Sequence, residues 1–332
     1  MQNIKSYYDV TEEYFLNTVK PKQKPAVLKG FISQWPAVKL ARDGALLDHL
    51  SAHASGLPIS YFACDPEWNG RFFYADGYTS FNYRREQAPI ADFFAQLHSE
   101  AASPAPTALF AGSLALAAYF PAFAASHRLD TFIPASQFLQ SMWIGNRTMT
   151  APHYDNMENI ACVVAGRRKF TLFPIEQFPN LYVGPLDPTP AGQPISLVDI
   201  RAPDYDRHPR YREAEAAALT ATLEPGDAIY IPTLWWHGVE SLDPINVMVN
   251  AWWRDVPSYF GSPMATLLHA ALSLRDLPKE QRAAWKVVFD TLIFETSGPA
   301  AEHLPPAARG ILGDLTRGNA AHIRDLLARL QP

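Results

Sequence analysis

Thr150-Ala-Pro-His-Tyr-Asp-Asn-Met-Glu-Asn159 continues through Ile160-Ala-Cys-Val-Val-Ala165 into Gly166-Arg-Arg-Lys-Phe-Thr-Leu-Phe173. Short apolar runs separated by Pro, Asn and Gly read as strands and turns. Side chains two apart on a strand point the same way, so His153 and Asp155 are placed to hold one ion between them. Asn159 follows Asp155 by four residues and is expected on the same face. Read alone, His-X-Asp is equally a hydrogen-bonded turn pair.

A second stretch supplies the missing partner. Glu224-Pro-Gly-Asp227 is a tight turn, Ala228-Ile-Tyr-Ile231 a strand, and Pro232-Thr-Leu-Trp-Trp-His237 a loop expected to return His237 toward the sheet. Two imidazoles and one carboxylate on one face of a metal leave its other positions open. That donor set suits Fe(II) and also admits Co, Ni or Zn.

Parity within Arg167–Phe173 sets Arg168, Phe170 and Leu172 on one face and Arg167, Lys169, Thr171 and Phe173 on the other. The first row reads as inward, so Arg168 is placed to clamp a carboxylate with two parallel bonds. The competing reading is a surface basic cluster beside a hairpin at Gly166. Thr150, Asn159 and Asn250 add neutral hydrogen-bonding groups. Tyr154, Trp236 and Trp252 are candidates for a substrate mouth, although aromatic residues near a metal are equally core.

Further strands are expected at Gln140–Gly145, Lys169–Phe173 and Val247–Trp252, and before them at Pro25–Gly30, Pro58–Ala63 and Gly70–Tyr74. Short strands without long intervening helices suggest an antiparallel barrel or sandwich. Helices are expected near Thr11–Val19, from Phe31, over Ala45–Ala54 and over Ile90–Glu100. After Pro257 they are expected near Pro263–Arg275, Glu280–Phe294, Pro305–Leu315 and Ala320–Leu330. The chain therefore divides into a barrel domain, 1–256, and a C-terminal helical region, 257–332. Pro185–Glu213, crowded with Pro, Asp and Arg, is a long irregular excursion and a candidate lid.

The net charge of -5, without a Lys/Arg run, does not suggest a nucleic-acid partner. Ala101–Ser126 has no charged residue and the length of a membrane span. Its Pro104, Pro106, Gly112 and Pro121 favour instead a buried strand near Leu109–Ala111 and a core helix stopping near Pro121. No membrane partner is expected. The cysteines, Cys64 and Cys162, make neither a disulfide framework nor a zinc knuckle, and the N-terminus has no signal-peptide pattern. Cytoplasmic localisation is the expectation.

The order His153-Tyr-Asp155, Asn159, Gly166 with basic residues, Leu172-Phe-Pro174, Pro203-Asp-Tyr205, Pro225-Gly-Asp227, Trp235-Trp-His237 and Glu240-Ser-Leu242 resembles the JmjC-type, cupin-like 2-oxoglutarate oxygenases. Among them it is most similar to the asparaginyl hydroxylase that inhibits hypoxia-inducible factor. The resemblance is specific over about 140–255 and looser elsewhere. It implies a double-stranded β-helix (cupin, jelly-roll) core with flanking helices. It implies Fe(II) on His153, Asp155 and His237, 2-oxoglutarate contacts from Thr150, Asn159, Arg168 and Asn250, and O2 as co-substrate. It further implies hydroxylation of a protein or peptide side chain, and a homodimer through the C-terminal helices. A small molecule or amino acid as substrate, a non-catalytic metal-binding module and a zinc hydrolase on the same ligands stay open. Two departures stand out. Arg168 replaces the family's usual Lys, and Leu109, beside Phe110, aligns with a Tyr whose hydroxyl reaches the co-substrate. Ser113 and Ser141 are the candidate replacements for that hydroxyl.

Overall fold

Eight short strands carry the architecture: β1 Gln137–Gly145, β2 Met149–His153, β3 Glu158–Ala165, β4 Arg168–Phe173, β5 Leu219–Leu223, β6 Ala228–Ile231, β7 Trp236–Ser241 and β8 Asn246–Arg254. They come from a computed structural model that describes residues 1–129, 133, 137–190 and 192–330. In the larger sheet β6, β3, β8 and β1 are neighbours; in the smaller, β5, β4, β7 and β2. All these pairings are antiparallel. The chain crosses between the two sheets at nearly every turn, which is the winding of a double-stranded β-helix.

The burial of β3 explains its unbroken apolar run. Ile160, Cys162 and Val164 pack outward against a helical layer with Val38, Leu50, Phe93 and Leu97. Ala161 and Val163 face the opposite sheet, against Phe170 and Leu172, beside Ile229 of their own sheet. A strand covered on both faces has no polar row to alternate with. The outer layer is built by helices Pro36–Arg42, Leu46–Ala52 and Ile90–Ala101. The larger sheet is extended at one end by Ala26–Lys29 and Ser6–Tyr8. At the other end it is extended by Ala108–Ala115, Ile59–Cys64 and Tyr83–Ala88.

Several local expectations shift. Phe31–Trp35 forms turns, and the helix begins at Pro36, where a proline's missing N–H costs nothing. Residues 101–126 contain the strand Ala108–Ala115 and the helix Leu116–Tyr119. A further short helix, Pro121–Ser126, starts at the proline expected to end the segment. Between Pro305 and Leu315 there are only the short turns of 3-10 helix Pro306–Ala308 and Gly310–Leu312. Among the described residues no helix is long and apolar enough to cross a membrane.

Contacts divide the chain into Met1–Asp255 and Val256–Pro332. The second unit contains helices Pro263–Leu274, Lys279–Leu292 and Arg317–Leu330. Among its described residues, only Ala301 and Ala320 are fully buried apolar side chains. Leu268, Leu272, Val287, Ile293 and Phe294 are exposed.

The turn that carries the chain from β3 in the larger sheet to β4 in the smaller falls at Gly166, where φ is +69° and an added Cβ would collide with Asn246 Oδ1 and meet the Ile245 carbonyl at 2.5 Å. Both the backbone conformation and the space demand glycine. Gly166→Ala is expected to cost about 2–4 kcal/mol, read as a lower denaturation midpoint with an unchanged denaturant slope.

Candidate metal centre

The register of β2 against β7 sets His153 directly across from His237. Their ring centroids are 4.3 Å apart. Asp155 lies just past the end of β2, in the connection to β3, so it is a loop residue and does not share a strand with Asn159. Its backbone carbonyl accepts from Leu234 N at 3.0 Å, which joins this connection to the turn leading into β7. His237 itself is the second residue of that strand and not part of a loop. The ligand atoms of His153, Asp155 and His237 lie within 4.8 Å of one another.

Hydrogen bonds fix the state of each ligand. His153 Nδ1 lies 3.0 Å from the Ala151 carbonyl and His237 Nδ1 lies 3.0 Å from the Trp235 carbonyl. A carbonyl only accepts, so each Nδ1 carries a hydrogen and each Nε2 is the nitrogen left to ligate. Burial, and next the neighbouring His153 imidazole, lower the pKa of His237, while Asp155 opposes the shift. His237 is thereby held neutral, the form that ligates. Asp155 Oδ2 is 3.6 Å from His237 Nε2 and accepts from Trp252 Nε1 at 2.8 Å. Two imidazoles that turn Nε2 to the site and one carboxylate fit a divalent metal.

A cavity of about 140 Å³ adjoins the three ligands, and Thr150, Asn159, Arg168 and Asn250 line it as well. Thr150 and His153 would fall on opposite faces of a regular strand. A bulge between His237 and Val239 places an extra residue on β2, and both positions reach the cavity. Arg168 is 2% exposed, and its Nε and Nη2 have no hydrogen-bond partner. Those two nitrogens form one edge of the guanidinium, the edge that grips a carboxylate with two parallel bonds. Burial lowers the Arg168 pKa to about 10, which leaves it charged at neutral pH. Lys169 points outward and pairs with Glu240 at 3.0 Å. The surface-cluster reading of this stretch thus applies to Arg167, which pairs with Asp243, and to Lys169.

Two aromatic expectations do not hold. Tyr154 and Trp236 are buried in a separate cluster with Phe173 and Tyr211 and do not line the cavity. They flank the two ligand histidines in sequence, and parity sends them the other way. Trp252 does line it. Leu109 is also turned away, into the outer core, and the cavity face of that strand belongs to Phe110. Neither candidate hydroxyl replaces the absent phenol: Ser113 is exposed, and Ser141 is buried without lining the cavity.

Phe62, Phe72, Tyr83, Trp143, Pro190 and Gln193 complete the wall and were not singled out from sequence. Trp143 stands on β1; the others arrive from segments before the barrel and from the excursion after Pro185, where no local pattern announces a cavity. The excursion is fastened over the site. Ser196 N donates to the Pro152 carbonyl at 2.7 Å, Ile195 bridges to His153, and Tyr83 donates to the Pro190 carbonyl at 3.0 Å.

The family model described as "Cupin-like domain" matches residues 11–259. The chain belongs to the cupin-like domain family. Within this cupin-like chain, 272 residues are 28% identical to tRNA wybutosine-synthesizing protein 5 of Danio rerio, covering 76% of the chain and 75% of that protein. HSPB1-associated protein 1 of Homo sapiens is 33% identical over 148 residues, 43% of the chain. Lysine-specific demethylase JMJ31 of Arabidopsis thaliana is 33% identical over 127 residues, 38% of the chain. The matches span only 30% of the human protein and 23% of the plant demethylase.

The Trp252 indole is the only side chain outside the triad that donates to Asp155 among the described residues. Trp252→Phe keeps the ring and removes the donor. It is expected to weaken Mn(II) or Fe(II) binding by about 10–100-fold, measured by anaerobic metal titration, with the fold intact by circular dichroism.

Proposed function

We propose that this cupin-like protein is a 2-oxoglutarate- and Fe(II)-dependent oxygenase, acting as a hydroxylase. One observation supports this most: a buried guanidinium with an unpaired two-nitrogen edge lines the same cavity as an open-faced His/Asp/His set. A metal-chelating acid with a second, distal carboxylate suits both ends at once. When bound, Fe(II) with 2-oxoglutarate supplies the oxidation, in which O2 is consumed, succinate and CO2 are released, and one oxygen atom enters a substrate C–H bond.

The chain's own residues bind and orient. His153, Asp155 and His237 hold the metal, with Trp252 fixing the Asp155 carboxylate. Arg168 pairs with the distal carboxylate, and Thr150 and Asn159 offer hydrogen bonds along the same wall. The fastened excursion keeps water from the reacting centre. The aromatic wall of Phe62, Phe72, Tyr83 and Phe110 takes the apolar part of the substrate.

A protein or peptide side chain is the first substrate to test, on the likeness to the asparaginyl hydroxylase; free amino acids and small molecules come next. The name of the Danio rerio relative adds tRNA to the panel. The net charge of -5 without a basic run weighs against a nucleic acid.

Purified protein with Fe(II), ascorbate and 2-oxoglutarate is expected to form succinate even without substrate, and Asp155→Ala to form none above background. Arg168→Met is expected to weaken 2-oxoglutarate binding by about 100-fold or more, as for removal of a buried charge partner. It should not lower the melting temperature of the ligand-free protein, because a buried unpaired charge is replaced by an apolar side chain. Absence of 2-oxoglutarate binding to the wild type, or succinate from Asp155→Ala at the wild-type rate, would overturn the reading.

The C-terminal unit carries a second part of the proposal. A helical unit whose large apolar side chains are exposed needs a cover, and a second copy of the chain, paired through these helices, supplies one. Light scattering is expected to give a dimer, and Leu268→Glu with Leu272→Glu a monomer that keeps its barrel.

A further inference from the structure

Trp143 lines the cavity, and its indole N–H also decides which way two neighbouring amides point. It donates to Asn250 Oδ1 at 2.7 Å. An indole nitrogen only donates, so the Asn250 atom it meets must be the carbonyl oxygen. The Asn250 amide nitrogen then lies on the other side, 3.2 Å from Asn159 Oδ1. That nitrogen also only donates, so the Asn159 atom facing it must be an oxygen. The Asn159 NH2 group is left over, and no protein acceptor takes it among the described residues, while Asn159 lines the cavity with Arg168. A hydrogen bond between two carboxamides reads equally well in either direction. Only the indole breaks that symmetry.

We propose that Trp143 is a positioning residue that acts through Asn250 to hold the Asn159 NH2 toward the cavity. The wall beside Arg168 then offers hydrogen-bond donors, and a carboxylate-bearing co-substrate is selected over a neutral or donor-bearing ligand. This rests on the oxygenase reading above. Without the indole N–H both amides can turn over while keeping their mutual bond, and Asn159 would then present its oxygen to the carboxylate. Asn250 has both polar atoms occupied within the relay and acts by orienting Asn159 rather than by touching the co-substrate.

The test uses Mn(II)-loaded full-length protein without O2. Trp143→Phe removes the donor, and replacement of Trp143 by its benzothienyl analogue removes the N–H with little change of shape. Both are expected to raise the 2-oxoglutarate dissociation constant about tenfold, the scale of one hydrogen bond. The Mn(II) dissociation constant and melting temperature should stay at wild-type values. With Fe(II), the KM for 2-oxoglutarate should rise while kcat is kept. Unchanged 2-oxoglutarate affinity in the benzothienyl protein overturns the proposal, as does an equal loss of Mn(II) affinity. If the wild type binds no 2-oxoglutarate, the oxygenase reading fails, and the relay is judged on the ligand-free protein. There, hydrogen exchange of the Asn250 side-chain amide should be slow in the wild type and fast in both variants, and equal exchange would count against it.

Discussion

The alignment of β2 with β7 is the constraint on which the site depends. His153 sits across from His237, and His237 sits across from Leu172 on its other side. Strand side chains alternate, so a slip of one residue would send His237 into the core and bring Trp236 to the metal. The apolar rows forbid that slip. Trp236 is held with Phe173 and Tyr211 on one side of the sheet, while Leu172 and Phe170 are held on the other. The bulge adds what a regular ladder cannot. Gly238 lies opposite it, where a Cβ would meet Ile200 at 2.9 Å and Pro152 at 3.2 Å. A glycine there lets the bulged strand approach closely and turn Thr150 toward the cavity as well.

Charge is divided within this cavity in a way that folding alone does not explain. The metal end gathers a carboxylate and two imidazoles without a cation. The far end buries a guanidinium without an anion. Among the described residues no ion pair joins the two ends, and Asp155 accepts instead from the Trp252 indole. A buried unpaired charge costs several kcal/mol, and the same burial lowers the Arg168 pKa. Lys169, one residue away, finds Glu240 at the surface, so the sequence had a cheaper place for a cation. A ligand that chelates at one end and carries a carboxylate at the other relieves both ends, which is why Arg168 says more about the co-substrate than the triad does.

Much of this was legible from short-range pattern, and the limits were geometric. The barrel strands showed themselves because Ile160–Ala165, Ala228–Ile231 and Val247–Trp252 are apolar enough to be strand and too short to be helix. Parity separated Arg168 from Lys169 correctly, because β4 is an unbroken strand. Where the chain is irregular the expected residues still line the cavity, but for reasons other than strand parity. Asp155 and Asn159 are separated by a loop, and Thr150 reaches the cavity only through a bulge. Strands Tyr83–Ala88 and Leu219–Leu223 went unread because Tyr-Arg-Arg-Glu-Gln-Ala and Leu-Thr-Ala-Thr-Leu lack a long apolar run; the first is an edge strand with an exposed polar face. The aromatic wall was out of reach for a different reason. Phe62, Phe72, Tyr83 and Phe110 lie far before the barrel in sequence, and only the extension of the larger sheet, together with the Arg71–Phe72 strand on the smaller, brings them to the cavity mouth. The same holds at the position where a phenol was sought. Alignment alone chose between Leu109 and Phe110, and it was the pleat of Ala108–Ala115 that turned the phenylalanine inward. The cavity wall there carries a phenyl ring without a hydroxyl, while Arg168, Asn159 and Asn250 add polar groups to the same cavity.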